Sequence, residues 1–425
     1  MIAAPPRAAA FAALASTRPA AADASFLRSG AHARRLLLLK ALLVRVRRHR
    51  DEVDPAALDG FEAAWRLLER TERGSPGAVR AVLDYPTTGA WLAAALTDPV
   101  GPALDRHLAH LEAVAATAAL RAGRPLDLVV RAPDGVLSLP GVGSVLAHRG
   151  PVRLVTRAQV VRIHSEDTPG APAAVLRLVD RRTGTVAGAG HGWRGLRGLS
   201  GGAARLDDLD PYRVPPGGVG TPARVAAERA DVDHAAWSGH WRAARELLRR
   251  TDRARAAEVG RTVGVLVPLV PQGPRSVGAT LSVAPGAVLM TPSAGAADMA
   301  ETLVHELHHG KLSTLHELVP LYRPGGGVLY RVGWRTDERP VAGVFQGTYA
   351  HLALADLWRR AMDARGVPSP WRTRAGQQFD HVHDQVGDAL AILLESDELT
   401  NGGREFARQM RQLHASLGTG PRAGA

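Results

Sequence analysis

The sequence predicts an α+β protein with an N-terminal helical domain (1–125), a β-rich middle unit (126–215), a C-terminal domain (216–412) and a disordered tail (413–425). Three observations predict this. Over 8–125, apolar residues recur every three or four positions, through Leu36, Leu39, Leu42 and Val46 and again around Phe61, Trp65 and Leu68, the spacing of one helix face. From Leu126 the pattern changes to short pieces such as DLVVRAP, GVLSLP and PVRLVTRAQVVRI, separated by Gly, Pro and Asp, as in strands joined by turns. Two long helical patterns then follow, at about 296–318 and 343–363.

Between these parts, 195–220 contains two glycine clusters, a DDLDPY segment and Pro215–Pro216, which read as a long connection. Beyond it, Trp237, Trp241 and Leu248 mark a helix, and VGVLVPLV (263–270), ATLSV (279–283) and AVLM (287–290) read as strands. No internal repeat is present. The last dozen residues, rich in Gly and Arg, read as frayed.

Composition narrows the function classes. With 45% apolar and 22% charged residues the chain is of the globular kind, and no stretch reaches the roughly 18 apolar residues of a membrane span. Met1–Leu14 only loosely imitates a signal peptide, because its apolar run is weak and Arg18, Arg28, Arg34 and Arg35 follow. A cytoplasmic protein with no membrane partner is expected. There is no cysteine, so thiolate catalysis, cysteine-ligated zinc and iron–sulfur clusters are excluded. Any metal must be held by His, Asp, Glu or other oxygen ligands. The net charge is +12, yet the basic residues are scattered arginines, with Lys40 and Lys311 the only lysines. The densest run, RVRRHR at 45–50, lacks interleaved aromatics and reads as a solvated helix face, so no nucleic-acid partner is expected.

The chemistry-bearing segment is AADMAETLVHELHHGKL, where His305, Glu306 and His309 form an HExxH pattern. On a helix, positions i and i+4 project from one face, so both imidazoles can bind one metal ion. Met299, Leu303 and Leu307 supply the apolar positions of such a helix. His308 points to another face, and His316, two turns beyond His309, is roughly 10 Å away along the axis, too far to share the ion. The extended HExxHxxGxxH pattern is absent because 312 and 315 are Leu, which disfavours a metzincin peptidase. A zincin-like metal domain is the expected C-terminal architecture, and 277–290 lies where such folds place the strand that pairs with an extended substrate. Candidates for the third ligand are Asp337 and Glu338 in WRTDERP, and Gln346 and His351 in VFQGTYAHLALADLW. His381 and His383 (FDHVHD) are two residues apart and point differently, and HGW at 191–193 reads as a turn.

The stretch LVHELHHGKLSTLHELVPLY, followed by YRVGWRTDERPVAGVFQGTYAHL, resembles the HExxH-motif peptide-modification proteins, the 2-oxoglutarate-dependent HExxH-type peptide β-hydroxylases that accompany gene clusters for ribosomally made, post-translationally modified peptides. The resemblance extends to RRLLLLKALL, DDLDPY and VGVLVPLVP and is sharpest over 301–358. It implies a non-haem Fe(II) site that uses 2-oxoglutarate and dioxygen to hydroxylate a β-carbon of a precursor peptide. Some relatives have His-Gly where this chain has Gln346–Gly347, which leaves the third ligand open among His351, Gln346 and Glu338. His351 is the preferred one, because the resemblance places the helix 343–363 beside the motif helix and His351 is its only histidine.

Imidazole suits iron as well as zinc, so HExxH does not by itself mean peptidase. The far carboxylate of 2-oxoglutarate calls for a bidentate cation, and Arg335 and Arg339 are the candidates. The alternatives are a zinc metallopeptidase with Glu306 as general base, and a catalytically inactive peptide-binding module.

Overall fold

The structure is a computed structural model describing residues 8–18, 21–147, 150–165, 172–201, 203–273 and 276–418. It is a mixed α+β protein with helices first and a β-rich middle. The helices are α1 (Ala8–Ala15), α2 (Ala21–Arg48), α3 (Pro55–Gly74), α4 (Pro76–Leu83), α5 (Pro86–Thr97) and α6 (Pro102–Arg121). Proline opens each of α3 to α6, where its fixed φ suits the first turn and its missing N–H costs nothing.

Eight strands follow: β1 (Asp127–Ala132), β2 (Val136–Leu139), β3 (Gly143–Leu146), β4 (Gly150–Arg157), β5 (Val160–Ser165), β6 (Ala174–Asp180), β7 (Thr185–Ala189) and β8 (Trp193–Gly195). They form an antiparallel sheet β1-β4-β5-β6-β7 and a smaller one, β2-β3-β8. β9 (Arg197–Gly198) and β10 (Arg205–Leu206) form a short antiparallel pair.

The chain divides into two compact units, 32–198 with 205–232, and 1–31 with 199–204 and 233–425. From residue 32 on, the helical stretch shares a unit with the β-rich stretch, whereas 1–31 fall with the C-terminal part. The reason for the sharing is α6. It is buried from His107 to Leu120, and its small Ala113, Ala116 and Ala119 pack against Val130, Val145, Leu154 and Ile163 of the strands, while Leu108, Leu111 and Val114 join the helical core of Leu42, Phe61 and Trp91. A helix buried on all sides serves two layers at once. Buried Glu112 on α6 accepts the Arg131 backbone N–H and side-chain Nε–H of β1, both at 2.7 Å.

The DDLDPY segment is not an exposed connection. Asp207, Asp208 and Asp210 are buried. Asp207 accepts the Tyr85 hydroxyl at 2.6 Å, Asp210 accepts that of Thr87 at 2.8 Å, and Asp208 pairs with Arg197 and Arg229. Their partners lie up to 123 residues away in sequence, so local turn signals could not show the burial.

The second unit carries α7 (His234–Thr251), α8 (Arg253–Thr262), β11 (Val265–Pro268), β12 (Gly278–Ala279), β13 (Ala287–Met290), α9 (Ala296–Leu318), β14 (Leu329–Tyr330), β15 (Arg339–Pro340), α10 (Val341–Asp363), α11 (Ser369–Glu395) and α12 (Asn401–Gly418). β11 and β13 are parallel and buried throughout, as strands covered on both faces are. β12 pairs antiparallel with β13 and ends the strand order. It covers two residues only, because the chain turns at Leu281–Ala284. Residues 413–418, expected in a disordered tail, are helical: α12 runs on to Gly418, with Leu413 and Leu417 buried. Residues 419–425 lie outside the described residues.

Candidate metal centre

The motif helix α9 sorts its polar residues by face. His305 and His309 are half-buried, with ring centres 4.6 Å apart at near-right angles. The His351 ring, from α10, lies 5.0 Å from that of His305, again nearly perpendicular. With a metal–nitrogen bond of about 2.1 Å and a ring centre about 1.1 Å further on, two imidazoles on one ion at about 90–110° place their ring centres roughly 4.5–5.3 Å apart. Both measured separations fall in that interval.

The hydrogen bonds select the tautomers. His305 Nδ1 donates to Glu306 Oε1 at 3.1 Å, His309 Nδ1 to Gln346 Oε1 at 3.1 Å, and His351 Nδ1 to the Gly347 carbonyl at 2.8 Å. In a neutral imidazole the other nitrogen then carries the lone pair, so all three rings offer Nε2. Burial, with a contribution from the neighbouring His305, pushes the His309 ring down to about 4 and the His351 ring down to about 3. Both are neutral at pH 7, as ligation requires.

Glu306 is buried. Burial favours its protonated form, but hydrogen bonds and the adjacent histidines outweigh this and hold the carboxyl below its usual value. Its Oε2 accepts the Thr280 hydroxyl at 2.8 Å, and the same hydroxyl lies 3.0 Å from the Glu306 carbonyl oxygen. Among the described residues, His305, Glu306 and His309 form the group of close metal-capable donors, all within 4.8 Å of one another. His351 lies beside that group rather than inside it. Neither Asp337 nor Glu338 belongs to it: Glu338 pairs with Arg331 at 3.3 Å, and Asp337 binds both Arg335 (2.8 and 3.2 Å) and Arg339 (2.7 Å). The two arginines proposed for a co-substrate carboxylate thus share one carboxylate already. Gln346 accepts from His309 and donates to Ser313 Oγ at 3.0 Å, so its contacts orient a neighbouring ring.

The other face of α9 holds a buried ionic network. His308 Nδ1 donates to the Val304 carbonyl, and its Nε2 lies 3.0 Å from Arg255 Nη1. Burial holds this ring well below its usual value, so it is neutral and accepts. Arg255 also bonds Glu258 (2.8 Å) and Asp356 (3.2 Å), and Lys311 reaches Glu258 at 2.7 Å. α8, α9 and α10 are tied together behind the ligand face. His316 stacks on Tyr322 and accepts the Leu321 N–H. His383 and His414 stack and contact each other's carbonyls, while His381 contacts Gln385.

Sequence reading missed Thr280, Ser313 and Trp334, whose contacts are all tertiary. One signal was available: Gly347, inside an otherwise strong helix, is a residue that helices tolerate only for a packing reason. Comparison with protein-family models finds no match, and comparison with curated proteins finds none. Among the described residues no helix is long and apolar enough to cross a membrane.

Proposed function

We propose that the chain is a non-haem Fe(II) enzyme that uses 2-oxoglutarate and dioxygen to hydroxylate a β-carbon in a ribosomally made precursor peptide, on a zincin-like metal domain. The observation that carries the metal centre is the close donor group of His305, Glu306 and His309 on one face of α9, with the His351 ring against His305 and the Nδ1 of each of the three rings hydrogen-bonded. The resemblance of 301–358 to the peptide β-hydroxylases supports the choice of reaction. In this reading His305, His309 and His351 hold the metal, and three protein ligands leave coordination positions for co-substrate and dioxygen.

Iron held by these residues would supply the redox chemistry by which one oxygen atom of dioxygen enters the peptide C–H bond and the other enters succinate as 2-oxoglutarate loses carbon dioxide. The chain's own residues position the partners. Glu306, committed to His305 and Thr280, fixes a ligand ring. Arg335 or Arg339, now paired with Asp337, would take a carboxylate of 2-oxoglutarate in its place, for which a planar guanidinium gives two parallel hydrogen bonds. β12 ends its sheet, and a Cβ at Gly278 would lie 2.7 Å from Glu306 Oε1, so an extended peptide added to that edge arrives beside the ligands.

A second reading, a zinc metallopeptidase, draws on one observation: the ionised Glu306 carboxylate is within 4.8 Å of the His305 and His309 donor atoms, where a general base would act on metal-bound water. The test incubates the full chain with Fe(II), 2-oxoglutarate and a short peptide encoded beside its gene. Hydroxylation gives succinate and a mass gain of about 16 Da on the intact peptide. Peptide fragments that require zinc and vanish in Glu306→Gln would establish the peptidase instead.

A further inference from the structure

Trp334 is absent from every role assigned so far, yet its indole stacks on His351, with ring centres 4.4 Å apart and planes 17° from parallel. It sits in the eight-residue loop 331–338 that joins β14 to β15 and leads directly into α10. The same loop holds Arg335 and Asp337, and Arg339 follows in β15. Two glycines seat the loop. A Cβ at Gly347 would lie 2.7 Å from Trp334 Nε1 and 2.9 Å from Cε2, and a Cβ at Gly333 would lie 2.6 Å from the Gln385 side chain of α11. A glycine inside a helix costs about 1 kcal/mol relative to alanine. At 347 the missing side chain lets the indole approach the helix one turn before His351.

The geometry gives this contact a definite task. His351 hydrogen-bonds from Nδ1 to the Gly347 carbonyl, which restrains rotation of the ring about Cβ–Cγ only within the broad angular tolerance of a hydrogen bond. A flat aromatic surface on one face narrows that range. Resting on the reading of His351 as a metal ligand, we propose that Trp334 is a positioning residue for it: seated on Gly347, the indole holds the imidazole in its ligating orientation and couples the loop bearing the co-substrate arginines to the metal site. Gly347 then has two functions, as acceptor for Nδ1 and as seat for the indole.

The test uses Co(II) alone as probe, titrated into the metal-free full chain and read by its visible absorption, with thermal melting as the check on folding. Support for an aromatic surface predicts that Trp334→Phe stays within about threefold of wild type, whereas Trp334→Leu and Trp334→Ala lose about 10–100-fold in Co(II) affinity with an altered spectrum, the range seen when groups that orient metal ligands are removed. Gly347→Ala, whose methyl displaces the indole while leaving both Trp334 and His351 in the sequence, loses affinity in the same direction. In a His351→Ala background, Trp334→Ala adds no further loss, because the residue acts through that ring. An unchanged affinity in Trp334→Ala, or an equal loss with and without His351, overturns the inference and leaves the metal centre standing. A wild-type chain that takes up no Co(II) overturns the metal centre as well.

Discussion

Gln346 offers the sharpest quantitative test of the site, because its two possible changes should move metal affinity in opposite directions. Its Oε1 accepts from His309 Nδ1, and its amide is held the right way round by donation to Ser313 Oγ. Gln346→Leu keeps much of the volume and removes the acceptor. His309 then loses the bond that favours the Nδ1–H tautomer, and a half-buried donor is left unsatisfied, at a cost of about 1–3 kcal/mol. At 1.4 kcal/mol per tenfold this is roughly a 10–100-fold weaker Zn(II) site. Gln346→Glu replaces a neutral acceptor with a charged one, about twice as strong, and raises the basicity of the ligand ring. Affinity should rise about fivefold. Ser313→Ala, which only frees the amide, should have a smaller effect in the direction of the Leu variant. The assay is competition with a chelator of known zinc affinity. A Leu variant within twofold of wild type, or a Glu variant weaker than wild type, would refute the assignment of Gln346 as the group that orients His309.

Two further predictions concern stability. Lys311→Met should lower the urea midpoint, because it leaves Glu258 and Asp356 facing Arg255 alone among buried groups; breaking such a network from one side costs about 3–5 kcal/mol, and the double variant Lys311→Met/Glu258→Gln should recover most of the loss. Equal losses in the single and double variants would remove the network from the account. Asp210 is pushed up to about 7 by burial and by the neighbouring Asp207 charge. Between its ordinary value near 3.8 and 7 the folded chain keeps a proton that the unfolded chain has released, so this group's contribution is full below the unfolded value and is lost as pH rises through the folded one, by at most about 4 kcal/mol. Urea midpoints should therefore fall from pH 5 to pH 7.5, and Asp210→Asn should flatten the slope; an identical slope in the variant counts against it.

What the sequence made legible was whatever depends on neighbours a few residues away. The spacing of His305 and His309 needs only the helical period, and α9 occupies 296–318 as read. α10 begins two residues earlier than read, at Val341. Thr280 and Trp334 reach Glu306 and His351 through chain segments that meet only after folding, and neither residue type announces a site. DDLDPY was legible in part: Asp and Pro are turn residues by local rule and the connection does turn there, with Asp207 and Asp210 accepting backbone N–H groups two or three residues on, but its burial depends on Tyr85, Thr87, Arg197 and Arg229, which are distant in sequence.

The run HELHHGK brings both cases together. At 100° per residue, His305 and His309 lie 40° apart on one face, whereas His308 and Lys311 lie 60° apart on another. The first pair is half-buried, with its lone pairs open to a ligand. The second is buried, neutral or paired, against Arg255 and Glu258. Sequence alone assigns the faces but not which is wet, since both are polar. The deciding feature is the chain's second and last lysine at 311: a cation with a carboxylate partner 53 residues upstream on α8 makes that face the inner one. Once the ionic face is fixed against α8 and α10, the helix cannot roll, and the imidazole pair is left on the face that His351 and Gln346 contact.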